Sequence, residues 1–191
     1  MSSRPQALTR LRAYLGVPGA PVRLSVRGRS AESVLRDFAE AAAWLQLEWD
    51  EAPSAHAQLE LRGSHAHGSI RFLGELEGRL LESLAETLRS LATGEIAWDT
   101  PATPALLARL PERLALQVFV GPSCPFCPGV SAAALRMACG SPALDVDILR
   151  ADQCPALGVT SVPCVRVGST TLSRGAIPEY ELAERLLDAC S

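Results

Sequence analysis

The sequence contains no lysine, so arginine supplies all 18 basic residues. The 21 acidic residues outnumber them and leave a net charge of −3. Counted separately, residues 1–100 carry a net charge of −2 and the remainder −1, so neither half is basic. A protein whose main task is to bind nucleic acid carries an excess of positive charge. We therefore expect no nucleic-acid partner.

The sequence also predicts neither a secretory signal nor a membrane-spanning helix. The first 20 residues have no apolar stretch before a small-residue cleavage site, so we expect no secretory signal. No run approaches the roughly 18 apolar residues that a membrane-spanning helix needs. The composition, 48% hydrophobic and 20% charged over 191 residues, is typical of a folded protein with a substantial core. We expect a cytoplasmic protein with no membrane partner.

Cysteine is absent from the first 123 residues. The six cysteines that follow are too few to form a disulfide scaffold in a chain of this length. In a reducing cytoplasm, a closely spaced pair is more often metal-binding or redox-active than structural. The six are Cys124, Cys127, Cys139, Cys154, Cys164 and Cys190.

The hydrophobic pattern predicts the same order of elements twice, strand–helix–strand–(helix)–strand–strand–helix. Gly28 and Gly121 each end the first strand of a half, and on this offset of 93 residues Cys124 and Cys127 correspond to Ala31 and Val34. We interpret the chain as a structural repeat with one active copy. The predicted divisions are 1–95 for a degenerate repeat without the cysteine pair, 96–113 for a linker with one short helical turn near Leu106, and 114–191 for the repeat that carries the pair.

Within these halves the predicted strands cover residues 22–27, 47–51, 57–62, 70–73, 116–120, 144–149, 163–167 and 170–172. The predicted helices are one whose apolar stripe runs from Val34 to Leu45, one over 77–92, one over 124–139, a short piece over 152–157, and a last one that begins near Pro178.

The segment Cys124-Pro125-Phe126-Cys127 directly follows a predicted strand and opens a predicted helix. The first N–H groups of a helix have no internal partner, and the helix dipole is positive there. Both effects stabilise a thiolate, so we expect Cys124 to be the nucleophile, with a lowered pKa. Cys127 follows one turn later and is expected to be the resolving thiol.

Prolines mark the surroundings of this pair. Pro125 suits the first helical position, whereas Pro128 is expected to lie about four residues into the helix and to remove the backbone bond to the Cys124 carbonyl. The Val162-Pro163 step precedes a predicted hairpin and is the expected site of a cis peptide bond. We expect that loop to face the sulfurs and the backbone before Pro163 to pair with an extended substrate segment.

These residues carry a resemblance to a known family. Residues 114–190 resemble a glutaredoxin or thioredoxin fold, and the run CPFCPGV followed by GVTSVP is similar to tandem thioredoxin-fold proteins. Those are the N-terminal domain of the bacterial alkyl hydroperoxide reductase flavoprotein and the archaeal protein disulfide oxidoreductases. In the first half, residues 70–74 (IRFLG), Gly78 and a leucine-rich helix are similar to the inactive first repeat of that domain.

The resemblance implies an α/β protein of two fused thioredoxin-like folds, with a central mixed sheet flanked by helices and a CxxC motif only in the second. It assigns redox roles to Cys124 and Cys127 and a substrate-loop role to Pro163. Together with Pro125, Phe126 and Val162, Pro163 forms the expected substrate-binding set.

Three features depart from the family pattern. No GxGxxG fingerprint is present, so we expect no FAD or NAD site, no cofactor besides the redox-active disulfide, and a reductant supplied by another protein. The His-Glu pair of the family's first repeat is Arg79-Leu80 here, so any role of that acid is not carried over. A glutathione site is not carried over either, since lysine is absent, which leaves Arg166 and Arg174 as the basic candidates.

The predicted function is that of a thiol–disulfide oxidoreductase, an electron relay to a protein partner such as a peroxidase. Expected partners are protein disulfides or thiols and an external reductase, and the pattern does not predict the oligomeric state. The alternative is a redox-sensing or adaptor module with little turnover, which docks partners through its first half.

The competing interpretation of Cys124 and Cys127 is half of a zinc site, or a site that carries a metal. Zinc needs four ligands, and Cys139 and Cys154 would have to complete the set. We favour redox chemistry and expect no metal, because a strand–CPFC–helix pattern with a later Val-Pro is more specific than one CxxC.

Cys164 is expected to be a small buried core residue, with a third exchanging thiol as the alternative. Whether Cys139 and Cys190 pair or stay free is left open, and Cys154 is expected in a loop or short helix.

Overall fold

The computed structural model describes residues 4–17, 19–54, 56–65 and 67–190. In the first half, four strands and two helices follow the predicted order, and a further helix, which was not predicted, precedes them. In chain order these elements are α1 (Arg4–Leu15), which is the unpredicted helix, β1 (Val22–Arg27), α2 (Glu32–Ala41), β2 (Leu45–Asp50), β3 (Gln58–Arg62), β4 (Ile70–Leu73) and α3 (Leu80–Thr93). Helix α3 ends at Gly94, whose φ of +75° is the left-handed conformation that closes many helices.

The second half contains α4 (Ala102–Leu107), β5 (Leu114–Val120), α5 (Cys127–Gly140), β6 (Leu144–Arg150), β7 (Cys164–Val167), β8 (Thr170–Arg174) and α6 (Glu179–Asp188). Two short 3-10 turns, Ala151–Gln153 and Pro155–Leu157, connect β6 toward β7. Helix α4 confirms the short helical turn predicted near Leu106, and Gly168 lies at the predicted hairpin.

The eight strands form one mixed sheet in the order β2-β1-β3-β4-β6-β5-β7-β8. Strand β1 is parallel to β2 and antiparallel to β3, which is antiparallel to β4. Strands β5 to β8 repeat this arrangement, and β4 joins β6 in parallel. We call β1–β4 with α1–α3 the first repeat, and β5–β8 with α4–α6 the second. The structure confirms two fused folds that share one sheet, while the boundaries at residues 95 and 113 stay predictions.

Polar contacts reinforce the β4–β6 junction between the repeats. Arg71 on β4 donates to both carboxylate oxygens of Asp147 on β6, at 2.7 and 2.6 Å. Asp145 accepts a bond from the Ser69 N–H at 2.6 Å and pairs with Arg113 at 2.6 Å. The two repeats are therefore held together by side chains as well as by the strand ladder.

Alternate residues of the strands point to opposite faces of the sheet. Val22, Leu24 and Val26, with Leu116 and Val118, face a core to which all six helices contribute. The opposite face is mostly polar, but it carries one apolar cluster, which we call the open-face cluster, formed by Phe119, Leu149 and Cys164. Ala151, Cys154 and Val159 pack on this open-face cluster, so the long β6–β7 connection covers it.

Three predicted helix limits are wrong. Helix α3 begins at Leu80 and not at residue 77. The stripe that was expected to run to Leu45 ends with α2 at Ala41, because Ala42 is already extended (φ −130°) and Leu45 opens β2. Helix α5 begins at Cys127 and not at Cys124. Six residues separate β5 from α5, against four between β1 and α2, so a fixed offset of 93 fails here and Cys127 corresponds to Glu32.

Among the residues that the structure describes, no helix is both long and apolar enough to cross a membrane.

Candidate redox site

The CPFC segment lies in the connection from β5 to α5. The Sγ atoms of Cys124 and Cys127 are bonded at 2.17 Å, and the two Cα atoms are 5.5 Å apart. The structure thus brings together the two sulfurs that the sequence predicted to react with each other.

The prolines around the pair occupy positions other than those predicted. Phe126 caps α5 with φ −93° and ψ −19°, so Pro125 lies outside the helix and not at its first position. Pro128 is the second helical residue, where a backbone N–H would have no helical acceptor. The predicted loss of a backbone bond at Pro128 is therefore wrong, and the first turn is closed by the Val130 N–H, which donates to the Phe126 carbonyl at 3.3 Å.

One backbone donor is directed at the first sulfur. The Cys127 N–H lies 3.1 Å from Cys124 Sγ, in donor geometry. Pro125 and Pro128 have no N–H and cannot donate to this sulfur. The Cys127 N–H is therefore the donor through which the start of α5 is expected to stabilise a thiolate at Cys124. A hydrogen bond to a sulfur favours its thiolate over its thiol, and Cys124 is the sulfur that receives it.

The two sulfurs differ in accessibility. Cys127 is 1% exposed and belongs to the main core, whereas Cys124 is only partly buried. Between them, Phe126 is 60% exposed, although large apolar side chains are usually covered. The arrangement presents Cys124 to a partner, withholds Cys127, and leaves an aromatic ring beside the accessible sulfur.

The Val162-Pro163 loop lies next to this segment. The peptide bond between the two residues is cis, as predicted. Pro163 is buried, and its carbonyl accepts a bond from the Gly175 N–H at 2.8 Å. A side-chain carbon at Gly121 would lie 3.0 Å from Val162 Cγ2, which places Val162 against the end of β5 that leads to Cys124.

Two grooves flank the cysteine pair, and sequence reasoning found neither. The junction groove, of about 310 Å³, lies between Cys124 and the turn that precedes α3 in the first repeat; it is lined by Glu77, Gly78, Arg79, Leu80, residues 121–125, Cys127, Pro128 and Arg150. The apolar groove, of about 350 Å³, lies on the other side of Pro125; it is lined by Arg79, Pro125, Phe126, Gly129, Val130, Ala176, Ile177 and Pro178. The repeat without thiols therefore forms part of the site.

Arg150, at the end of β6, anchors the first repeat to this site. Its side chain is 6% exposed and pairs with Asp152 at 2.9 Å and with Glu77 at 3.0 Å. It also donates to the Glu75 carbonyl at 3.2 Å. These partners, Asp152 first, raise the pKa of Arg150 above its ordinary value. A signal was available, since the carboxyl ends of adjacent parallel strands such as β5 and β6 meet at one edge of a sheet.

The other four cysteines are free thiols in the structure. Cys164 is buried in the open-face cluster, which confirms its prediction as a core residue. Burial raises the pKa of Cys139 to about 12, and the Cys190 Sγ donates to the Leu186 carbonyl at 3.2 Å, so these two do not pair. Cys154 lies between the two 3-10 turns.

Neither basic candidate for a glutathione site lies among the residues that line the two grooves. The Arg166 guanidinium lies over the Phe119 ring at 5.3 Å and donates to the Leu157 carbonyl at 2.9 Å. Arg174 ends β8, opposite Cys164. Within the described ranges, no three His, Cys, Asp or Glu side chains form a group that could hold a metal ion.

Solved structures with the same fold are similar to the whole chain. The alkylhydroperoxide reductase AhpF of Enterococcus faecalis matches with a TM-score of 0.81 and 20% identity, over 97% of this chain and 100% of the matched one. The N-terminal domain of that reductase matches at 0.80 and 19%, with the same coverage. A protein disulfide oxidoreductase from Aeropyrum pernix matches at 0.79 and 20%, over 98% of this chain and 93% of the matched one.

No protein-family model matches the sequence, and no curated protein matches it significantly. The chain has a tandem thioredoxin-like fold and holds a disulfide in CxxC spacing, the arrangement on which thiol–disulfide exchange is built.

Proposed function

We propose that this protein is a thiol–disulfide oxidoreductase that exchanges two electrons through Cys124 and Cys127. The observation that carries the proposal is the asymmetry of the pair. Cys124 is accessible and receives the Cys127 N–H, while Cys127 is buried directly behind it. An attacking thiol needs access and thiolate character, whereas a resolving thiol needs only to reach the first sulfur.

In the reducing direction, the Cys124 thiolate attacks one sulfur of a substrate disulfide. The substrate S–S bond breaks, and the released sulfur leaves as a thiolate that takes up a proton. Cys127, deprotonated in turn, attacks Cys124 Sγ in the mixed disulfide and expels the second substrate thiolate. The protein is left with the Cys124–Cys127 disulfide seen in the structure. The same steps in reverse oxidise a substrate dithiol, and the reduction potentials of the two couples decide the direction.

The surrounding residues suit a protein substrate. Phe126 and Pro125 are exposed beside Cys124, and the Val162-Pro163 loop lies next to the same strand end. The proposal includes pairing of the backbone before Pro163 with an extended substrate segment, a peroxidase among the partners, and an external reductase that returns electrons to the disulfide in the cytoplasm. It includes no cofactor beyond that disulfide.

The test is a pair of cysteine variants assayed on insulin or a small disulfide. We expect Cys124→Ser to abolish turnover, and Cys127→Ser to accumulate mixed disulfides with substrate that are visible by mass spectrometry. Cys139→Ser, at a buried thiol outside the site, is the matched control and should retain turnover. Full dithiol reductase activity in Cys127→Ser would contradict the proposal. Slow turnover of the wild type with NADPH and a thioredoxin or glutathione reductase would favour the adaptor alternative.

A further inference from the structure

Arg79 lies at the meeting point of the two grooves. It is the residue of the first repeat that lines both of them, next to Pro125 in each. Its side chain is 69% exposed, and its ion-pair partner Glu82 is itself 74% exposed and 3.5 Å away. Such a pair is weak in water, so the guanidinium is available to a partner that docks at Cys124.

The two other charged residues that line the grooves are paired with each other. Glu77 and Arg150, which also line the junction groove, pair with each other at 3.0 Å. The residues that line the apolar groove with Arg79 are all uncharged, and Pro125, Phe126, Val130 and Ile177 form much of its surface. A segment that docks along this groove therefore meets apolar surface and one cation.

The position of Arg79 is set by the second repeat. Gly74 leads into the turn before α3, and Gln153 and Arg150 bind that turn at the Glu75 N–H (3.0 Å) and the Glu75 carbonyl (3.2 Å). Gly78 adopts φ +56°, and Arg79 then caps α3 in helical geometry. The Ser83 hydroxyl, one turn further along α3, donates to the Pro128 carbonyl of α5 at 3.4 Å.

We propose that Arg79 selects substrates whose reactive cysteine lies in an extended protein segment with an apolar side chain beside the cysteine and a carboxylate within a few residues. This inference rests on the function proposed above and names the substrate class for that site. The apolar side chain packs along Phe126, and the carboxylate pairs with the guanidinium. The thiol-less repeat thereby acts as the specificity element of the site.

The test uses three disulfide-linked peptides that share a leucine beside the cysteine and differ at one nearby position, which is Asp, Asn or Lys. For each variant, rates are divided by its own rate on a small neutral disulfide, so that a general loss of activity cancels. We expect wild type to prefer the Asp peptide over the Lys peptide by about threefold to fivefold at low salt, the size of one exposed ion pair. Arg79→Gln should remove the preference and Arg79→Glu should reverse it, and high salt should weaken it.

Arg109→Glu makes the same charge change at an exposed residue that lines neither groove, and it should keep the wild-type ratio. A wild type that reduces all three peptides equally, or an Arg79→Glu variant with the wild-type ratio, overturns the inference and leaves the proposed function standing. Oxidised glutathione is assayed in the same way, and an effect of Arg79→Glu confined to it also overturns the inference, since the occupant would then be glutathione. A wild type that reduces none of the disulfides overturns the proposed function itself.

Discussion

The two repeats place different chemistry on the same strand frame. Arg27 and Phe119 are equivalent, because each pairs with the first residue of the antiparallel strand that follows, Gln58 in one repeat and Cys164 in the other. Arg27 forms an ion pair with Asp50 on the neighbouring strand at 2.5 Å, and both are about half exposed. Phe119 instead packs with Leu149 and is fully buried.

The connections after the second strand of each repeat explain this difference. Seven residues link β2 to β3, whereas thirteen link β6 to β7 and include the two 3-10 turns. The longer connection covers the sheet face, so apolar residues belong there, while the shorter one leaves it in water. The same strand arrangement therefore accommodates either an exposed ion pair or a buried apolar cluster on this face, and does not itself require the cluster.

The helix starts differ in the same way. Glu32 opens α2, where hydrogen bonds from Arg36 and Arg29 hold the pKa of its carboxyl below the ordinary value. In the second repeat, the sulfur of Cys124 lies at the start of α5 and receives the Cys127 N–H. A positive helix end stabilises a carboxylate or, in the reduced protein, a thiolate.

The largest effect on stability is expected from the open-face cluster. Phe119→Ala removes a fully buried aromatic side chain and should lower the free energy of unfolding by about 3–5 kcal/mol. The matched change Arg27→Ala, at the equivalent position of the first repeat, removes an exposed ion pair and should leave the urea midpoint nearly unchanged. Equal losses in the two variants would show that the β6–β7 connection does not cover the cluster in solution.

A smaller, pH-dependent effect is expected at the junction of the repeats. Hydrogen bonds from Arg113 and from the Ser69 N–H hold the pKa of Asp145 below its ordinary value. Its ionised form therefore stabilises the folded state above the pKa of the unfolded chain, about 4, and this contribution is lost as the pH falls through the lowered folded value.

We expect Asp145→Asn to lower the unfolding midpoint at pH 7, and the gap to wild type to close below about pH 4 as the carboxyl is protonated. Asp50→Asn, at the free edge of the sheet, should show a smaller gap because the Asp50 side chain is more exposed than that of Asp145. A gap for Asp145→Asn that is constant from pH 7 to pH 3 would show that its charge does not hold the junction.

Much of the fold follows from local patterns in the sequence. Alternation in β1 and the leucine stripe of α3 predicted their elements, because one face of each is buried. The start of α5 did not follow, since Pro125 and Pro128 both suit a first turn and local sequence does not choose between them. Arg79 also escaped prediction, because its place at the site depends on how the first repeat docks against the second. Arg150 was missed although the carboxyl ends of the parallel strands β5 and β6 meet at one edge of the sheet.

The most direct test of the account is the rate of iodoacetamide labelling of each cysteine in the reduced, folded protein as a function of pH. The account predicts that Cys124 is labelled first, with a midpoint below the ordinary thiol value of about 8.5. Cys127 should stay protected by burial, and Cys139 by burial and a pKa raised to about 12. Labelling of Cys127 as fast as that of Cys124, or a Cys124 midpoint at or above about 8.5, would contradict it.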